Sequence, residues 1–200
     1  AELRRACAEH PLPAPPGADV LDRPGGAGLT TDVQDVRRGV GYAVGFKNLM
    51  FSEGFDDYST AACRLEHGVV TVTCACAEVG QGFVTLVRQI AHEVLGVDDV
   101  VLGPVDTAIG SAGSTSASRQ SWMSGGAVHA ACQAVKRRID AGDTGVIEEV
   151  ATFRHAATSI LDEDGQGDAH VSFAFAAHRA VVDVDPELGL VKVIDMTTAQ

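Results

Sequence analysis

Small and larger side chains alternate through Gly39-Val40-Gly41-Tyr42-Ala43-Val44-Gly45-Phe46, which predicts a strand whose glycine face lets another backbone pack closely. Residues 58–66 and 69–76 predict two more strands, joined by Glu66-His67-Gly68 with the composition of a hairpin turn. The chain then passes through Ala77-Glu78-Val79-Gly80-Gln81-Gly82. After it Phe83, Leu86, Val87, Ile90, Ala91, Val94 and Leu95 recur at helical spacing, so a strand ends in a glycine turn that opens a helix. A fourth strand is predicted over 100–105, followed by a small-residue run, 110–120, and a helix from about 120 to 139 with Met123, Val128, Ala131 and Val135 on its apolar face. Residues 149–155, 169–184 and 189–196 read as strands, with turn chemistry in Asp183-Val184-Asp185-Pro186-Glu187-Leu188-Gly189. The fold class this implies is α+β, mixed β-sheets with packed helices.

The first 37 residues break the pattern. Pro11, Pro13, Pro15 and Pro16 are followed by Gly25, Gly26 and Gly28, and the segment reads as an irregular linker or wrapping segment. Residues 38–200 read as one domain that continues beyond Gln200, because the last strand pattern simply stops there. A hydrophobic content of 46% with 21% charged residues excludes a disordered chain. The net charge of -12, with only 15 Lys+Arg, argues against nucleic-acid or anionic-membrane surfaces, whose affinity comes from clustered basic residues. No apolar stretch is long enough to span a bilayer and no signal-peptide order opens the chain, so a cytoplasmic setting is expected. Five cysteines, at 7, 63, 74, 76 and 132, make no disulfide framework; Cys74 and Cys76 are expected as buried thiols on one side of a strand. The seven histidines show no metal-ligand spacing.

The candidate chemistry lies in the two glycine turns. The run Gly110-Ser111-Ala112-Gly113-Ser114-Thr115-Ser116-Ala117-Ser118-Arg119-Gln120 leaves backbone N–H groups uncovered before a helix, a surface that holds anions such as phosphate, and Arg119 is expected to add a planar fork to the same oxygens. In the first turn the glycines allow close approach to a ligand, and Gln81 can both donate and accept. The two helix starts are expected to converge on one ligand. A flexible Ser/Gly loop and a tight turn with an exposed glutamine stay open as alternatives. Glu78 is a candidate general base, or a carboxylate that accepts turn and helix-start N–H groups and holds the loop in shape. The second Gly-Gln-Gly, at 165–167, lies in Asp162-Glu163-Asp164-Gly165-Gln166-Gly167-Asp168. Gln166 and Phe173 occupy positions where a calcium loop needs an acidic or amide ligand and a bidentate Glu, so a solvated acidic turn is expected. No Gly-x-Ser-x-Gly or nucleotide-triphosphate loop is present.

The 39–46 strand, the 77–82 turn and the 110–120 run, in this order and spacing, resemble the molybdenum-binding subunit of the xanthine dehydrogenase and aldehyde oxidase family. The resemblance extends from about Arg38 to Gln200. Phe46-Lys47-Asn48 through Asp56-Asp57-Tyr58-Ser59-Thr60 is most similar to bacterial purine hydroxylases of the xanthine dehydrogenase type. The resemblance implies a molybdenum atom held by the dithiolene of molybdopterin, in bacteria often a dinucleotide form, and not by protein side chains. It assigns Val79, Gly80, Gln81 and Gly82 to the pterin, with Gln81 near the metal, and Ser116, Ala117, Ser118, Arg119 and Gln120 to the cofactor's phosphates. It implies base-assisted hydroxylation of a purine such as xanthine or hypoxanthine, or alternatively of an aldehyde or another N-heterocycle.

Electrons would leave through 2Fe-2S clusters and FAD on partner subunits or other domains, in an oligomeric assembly, since neither binding pattern occurs here. The family's catalytic glutamate lies beyond Gln200, so no catalytic residue is assigned and this piece alone is expected to be inactive. A non-catalytic cofactor-binding or assembly module is the alternative of another class. An aromatic residue that stacks on the purine in animal enzymes of the family falls nearest Val44 and Gly45, with Phe46 adjacent.

Overall fold

The computed structural model describes residues 1–14, 17, 19–25, 32–50 and 53–200. Pro15, Pro16, Gly26 and Gly28 of the expected irregular segment lie outside the described residues. The chain divides into two compact units, Ala1–Lys47 with Ala174–Gln200, and Asn48–Phe173. The fold is mixed α+β, as expected.

In the first unit β1 (Arg37–Asn48), β6 (Phe173–Asp185) and β7 (Leu190–Ala199) form a sheet in the order β1-β6-β7. Residues 1–37 are not wholly irregular, because Glu2–Glu9 forms helix α1. Glu, Leu, Arg and Ala in this segment are good helix formers, and Pro11 follows its end. The segment is tied to the sheet by the buried Arg179 and the half-buried Arg38. Arg179 donates to the His10 carbonyl at 2.7 Å, and Arg38 donates to the Pro13 carbonyl at 2.8 Å while its Nε and Nη2 each reach the buried Asp183 at 2.7 Å. The β6–β7 register slips once, between Val181 and Val182. In the turn that joins these strands, Asp185 accepts from the Glu187 and Leu188 N–H groups.

The second unit holds a sheet in the order β4-β3-β2-β5, from β2 (Tyr58–Glu66), β3 (Val69–Cys74), β4 (Val100–Leu102) and β5 (Ile147–Arg154). β2 and β3 pair antiparallel through the turn at His67 and Gly68, both with positive φ (51° and 82°), a conformation that matches the twist of a two-residue hairpin. β3 and β4 are parallel, so α2 (Phe83–Leu95) is the crossover between them. β4 stops at Leu102, short of the expected 105, where the Gly103 N–H still bonds the Val72 carbonyl and the chain then turns away.

The helix expected over 120–139 starts as a π-turn, Gln120–Ser124, and continues as α3 (Gly125–Asp140). Both helices cover one face of this sheet. Phe83, Val87 and Ala91 of α2 and Val128, Ala131, Cys132 and Val135 of α3 are buried with Ala61, Cys63, Val70, Val72, Cys74 and Ile147. Cys74 and Cys76 are buried free thiols, as expected.

Small residues set the helix spacing. A methyl group at Gly125 would already touch Leu86 and Ile90 of α2, at 3.4 and 3.5 Å, and one at Gly126 would lie 2.7–2.9 Å from the Phe153 ring of β5. Gly126→Ala is therefore expected to destabilise the protein by about 1–3 kcal/mol through overpacking. Thermal denaturation checks this, with Phe153→Leu in the same chain restoring most of the loss.

Candidate cofactor site

The first glycine turn closes on itself. Glu78 Oε1 accepts the N–H groups of Gly80 and Gly82 at 2.8 and 3.1 Å, and Oε2 accepts that of Val84 at 3.0 Å. The hydrogen bond from Val84, then that from Gly82, holds the Glu78 carboxyl below the usual carboxylate range. Glu78 is thus the loop-holding carboxylate and not a poised base. Gln81 folds back as well: its Oε1 accepts the Val79 N–H at 2.7 Å and its Nε2 donates to the Ala77 carbonyl at 2.9 Å. Gly82 stands at φ 85° as the cap of α2, a conformation that favours glycine. The α2 start therefore offers no open donors, because Glu78 fills it with its own negative charge.

The second turn is built the other way, with its carbonyls tied inward. Nε and Nη2 of Arg119 reach Oδ2 and Oδ1 of Asp57 at 2.7 and 2.5 Å, Nη2 also donates to the Tyr58 carbonyl at 2.9 Å, and Nη1 donates to the Ala112 carbonyl. Arg119 is 1% exposed. The expected fork from Arg119 onto phosphate oxygens is corrected accordingly, since its donors are spent on Asp57 and on carbonyls. Gln120, also buried, donates from Nε2 to the Ser114 carbonyl at 3.1 Å and to Thr115 Oγ1 at 3.3 Å, and its Oε1 accepts from Ser124 Oγ. Ser124 lies 2.9 Å from Ser59 Oγ, which donates to the Ser111 carbonyl at 3.3 Å. The Ala117 carbonyl accepts the Met50 N–H at 2.9 Å and the Ser116 carbonyl accepts the Arg119 N–H at 2.8 Å.

Peptide planarity turns these anchors into a donor surface. In a trans peptide the carbonyl and the next residue's N–H point in opposite directions, so carbonyls held inward at Ala112 and Ser114 send the Gly113 and Thr115 N–H groups outward. Among the described residues, the N–H groups from Gly113 to Ser118 have no acceptor in the protein. Ala117 and Ser118 stand at φ 49° and 56°, the left-handed region, at a cost of roughly 1–2 kcal/mol each. Such consecutive turns line N–H groups into an anion-binding concavity. The fit to a phosphate is good at this loop and poor at the Glu78 turn, where a carboxylate already holds the amides.

The two turns share a neighbourhood. The Cys76 thiol, two residues before Glu78, has the Ser124 hydroxyl as a partner and senses the Arg119 charge. Burial, with Cys74 and Glu78 nearby, nonetheless pushes it up to about 12. Asp57 is the residue that sequence reasoning missed: it sits just before β2, and nothing local marks it as Arg119's partner 62 positions away.

A profile of the molybdopterin cofactor-binding domain matches residues 26–148. The chain belongs to this family. The molybdopterin-binding domain has the fold of the corresponding region of aldehyde oxidoreductase from Desulfovibrio gigas, at TM-score 0.69 and 25% identity over 82% of this chain and 20% of that one. CO dehydrogenase from Oligotropha carboxidovorans shares the fold at TM-score 0.59 and 15% identity over 81% of this chain and 26% of that one. Quinoline 2-oxidoreductase from Pseudomonas putida 86 does so at TM-score 0.58 and 20% identity over 82% and 27%. The chain thus spans about a fifth to a quarter of the length of these proteins. No curated protein sequence matches it. The molybdenum hydroxylase resemblance holds at family level, and xanthine dehydrogenase is not singled out within it.

Elsewhere, the 162–168 segment is an acidic turn: Asp162 Oδ1 accepts the Asp164 and Gln166 N–H groups at 3.0 and 2.8 Å. Among the described residues no helix is long and apolar enough to cross a membrane.

The lowered Glu78 carboxyl gives a signed pH dependence. Its stabilisation of the turn is complete above the unfolded carboxylate value of about 4.3 and is lost as pH falls through the lower folded value. Amide exchange at Gly80, Gly82 and Val84 is expected to be slow at neutral pH, to quicken only at strongly acidic pH, and to be fast throughout in Glu78→Gln. Equal protection in parent and variant at pH 7 would contradict the cap.

Proposed function

We propose that this domain holds molybdopterin in the large subunit of a molybdenum hydroxylase, with the loop carrying Ser116, Ala117, Ser118, Arg119 and Gln120 on the cofactor's phosphates and the Val79-Gly80-Gln81-Gly82 turn on the pterin. The observation that carries this reading is the row of N–H groups from Gly113 to Ser118 that have no acceptor among the described residues, together with the family membership. Arg119 and Gln120 serve by shaping the backbone, Ser116 to Ser118 by donating from it. The Glu78 carboxylate suits the first turn to the uncharged end of the cofactor, since a phosphate there would meet like charge. Bound molybdopterin would supply the two-electron redox centre. Gln81 would reach it by releasing the Val79 N–H and the Ala77 carbonyl, orienting the reacting group from a rigid turn. Electrons would pass to 2Fe-2S and FAD on partner subunits or other domains of an oligomer.

The substrate we propose is a purine such as xanthine or hypoxanthine. What supports this choice is the likeness of Phe46-Lys47-Asn48 through Asp56-Asp57-Tyr58-Ser59-Thr60 to bacterial purine hydroxylases. An aldehyde is the second reading, favoured by the similarity to the D. gigas aldehyde oxidoreductase. A cytoplasmic setting fits the five free cysteines, among them Cys63 and Cys132 with Sγ atoms 3.7 Å apart and unbridged.

The full-length protein, expressed in a host that makes the cofactor, is expected to contain molybdenum and pterin; their absence would overturn the reading. Turnover of xanthine above that of aromatic aldehydes and nicotinate supports the purine assignment, and the reverse order supports the second reading. Gln81→Ala is expected to lower turnover or cofactor retention on the order of tenfold, from loss of the side-chain amide that would reach the cofactor. Unchanged values would remove Gln81 from the site.

A further inference from the structure

We infer that Asp57 is a positioning residue of the phosphate-holding loop, acting through Arg119 and never on the ligand itself. This rests on the reading of that loop given above. Asp57 and Arg119 are 6% and 1% exposed and meet through two hydrogen bonds, 2.7 and 2.5 Å long. A buried ion pair is a poor way to gain stability, because both ions lose their water and an apolar pair would fill the space at less cost. It is a good way to fix one geometry, since a planar guanidinium held at both oxygens of a carboxylate has a single orientation.

That orientation decides where the loop goes. With Nε and Nη2 on Asp57, the remaining edge of the guanidinium faces the Tyr58 carbonyl at 2.9 Å and the Ala112 carbonyl. One cation thereby ties together the entry to β2, the start of the loop and the start of the helix. Gly113 packs directly on the guanidinium, so closely that a Cβ there would overlap it, and stands at φ 59°. The cation is therefore the surface on which the loop makes its first bend. Gln120 then takes the Ser114 carbonyl, and the N–H groups between these anchors face outward.

Charge sharpens the point. Without Asp57, a buried guanidinium lacks its counter-ion and would turn toward the nearest anion, which on this reading is the ligand's phosphate. Asp57 neutralises Arg119 and keeps it with the protein, so recognition falls to backbone donors. If Arg119 instead bound phosphate directly, removing the Asp57 charge would free it and leave binding equal or tighter.

The test uses the full-length protein purified free of cofactor from a host that cannot make the pterin, with inorganic pyrophosphate as the probe in calorimetry. Asp57→Asn and Arg119→Gln are each expected to weaken pyrophosphate binding on the order of tenfold, and the double variant no more than either alone, because both remove one positioning unit. Amide exchange at 113–118 is expected to quicken in Asp57→Asn while α3 and β2 keep parental rates, which a general loss of stability would not produce. Should Asp57→Asn fail to fold, Gly113→Ala displaces the guanidinium from the loop side and carries the same expectation. Parent-like or tighter pyrophosphate binding by the variants, with loop exchange unchanged, overturns the inference while leaving the loop's function intact. A parent protein that binds no pyrophosphate overturns the phosphate reading itself, and this inference with it.

Discussion

The buried Arg119 guanidinium constrains the second unit more than any other group, because the strand entry at Tyr58, the loop at Ala112 and Gly113 and the helix that begins at Gln120 all meet on it. A charge so fully removed from water must be compensated, and the protein gives each of the three guanidinium nitrogens a carboxylate or backbone carbonyl partner. The consequence reaches the surface. Carbonyls committed to the cation cannot face outward, so the N–H groups of the following residues do. A loop of small residues, which by composition could take many shapes, is given one with its donors exposed. The left-handed Ala117 and Ser118 are sustained in the same way, by the Met50 and Arg119 N–H groups on neighbouring carbonyls.

The platform beneath is simpler. α2 joins the parallel strands β3 and β4, and α3 packs beside it on the same face with glycines at the contact. A crossover of this kind places the turn that follows a strand at the start of its helix, where backbone donors are uncovered. Here the two helix starts are used differently. One is closed by Glu78 with a charge of its own, and the other is left open beside a neutralised cation. The contrast follows from which polar side chain each turn contains and from where that side chain finds its partner.

Periodicity made most of this fold readable in advance. β1, the β2–β3 hairpin, α2, α3 and the last three strands lie where the alternation and the helical spacing put them; β3, β5, α2 and α3 bury one face each, whereas β1 carries no buried residue and is marked by its alternation alone. The misses have physical causes. Glu2–Glu9 is only eight residues long, and its apolar stripe, the half-buried Leu3, Ala6 and Cys7, spans little more than one turn, too short a pattern to stand out beside the prolines that follow. β4 is short because its end depends on a turn away from β3, which no pattern within the strand encodes. At the site, the two loops were legible from their glycines and small residues, and the capping use of Glu78 from its place before a helix. Arg119 was misjudged, since a lone arginine in a polar run reads as solvent-facing. Its burial is decided by Asp57, 62 positions earlier, and no local window contains both.

A further step follows from electrostatics at the level of the whole chain. With a net charge of -12, a protein that binds a phosphorylated cofactor through long-range attraction would be poorly built. Recognition through aligned N–H groups avoids this, because a row of peptide dipoles acts at hydrogen-bond distance and needs no excess of basic residues. Keeping Arg119 paired with Asp57 is part of the same solution. On that reading the loop would select by geometry, through the spacing of its donors. On the proposed reading, an acidic surface and an anion site coexist in this chain without contradiction: the first is carried by exposed carboxylates, the second would be carried by backbone N–H groups beside a buried ion pair.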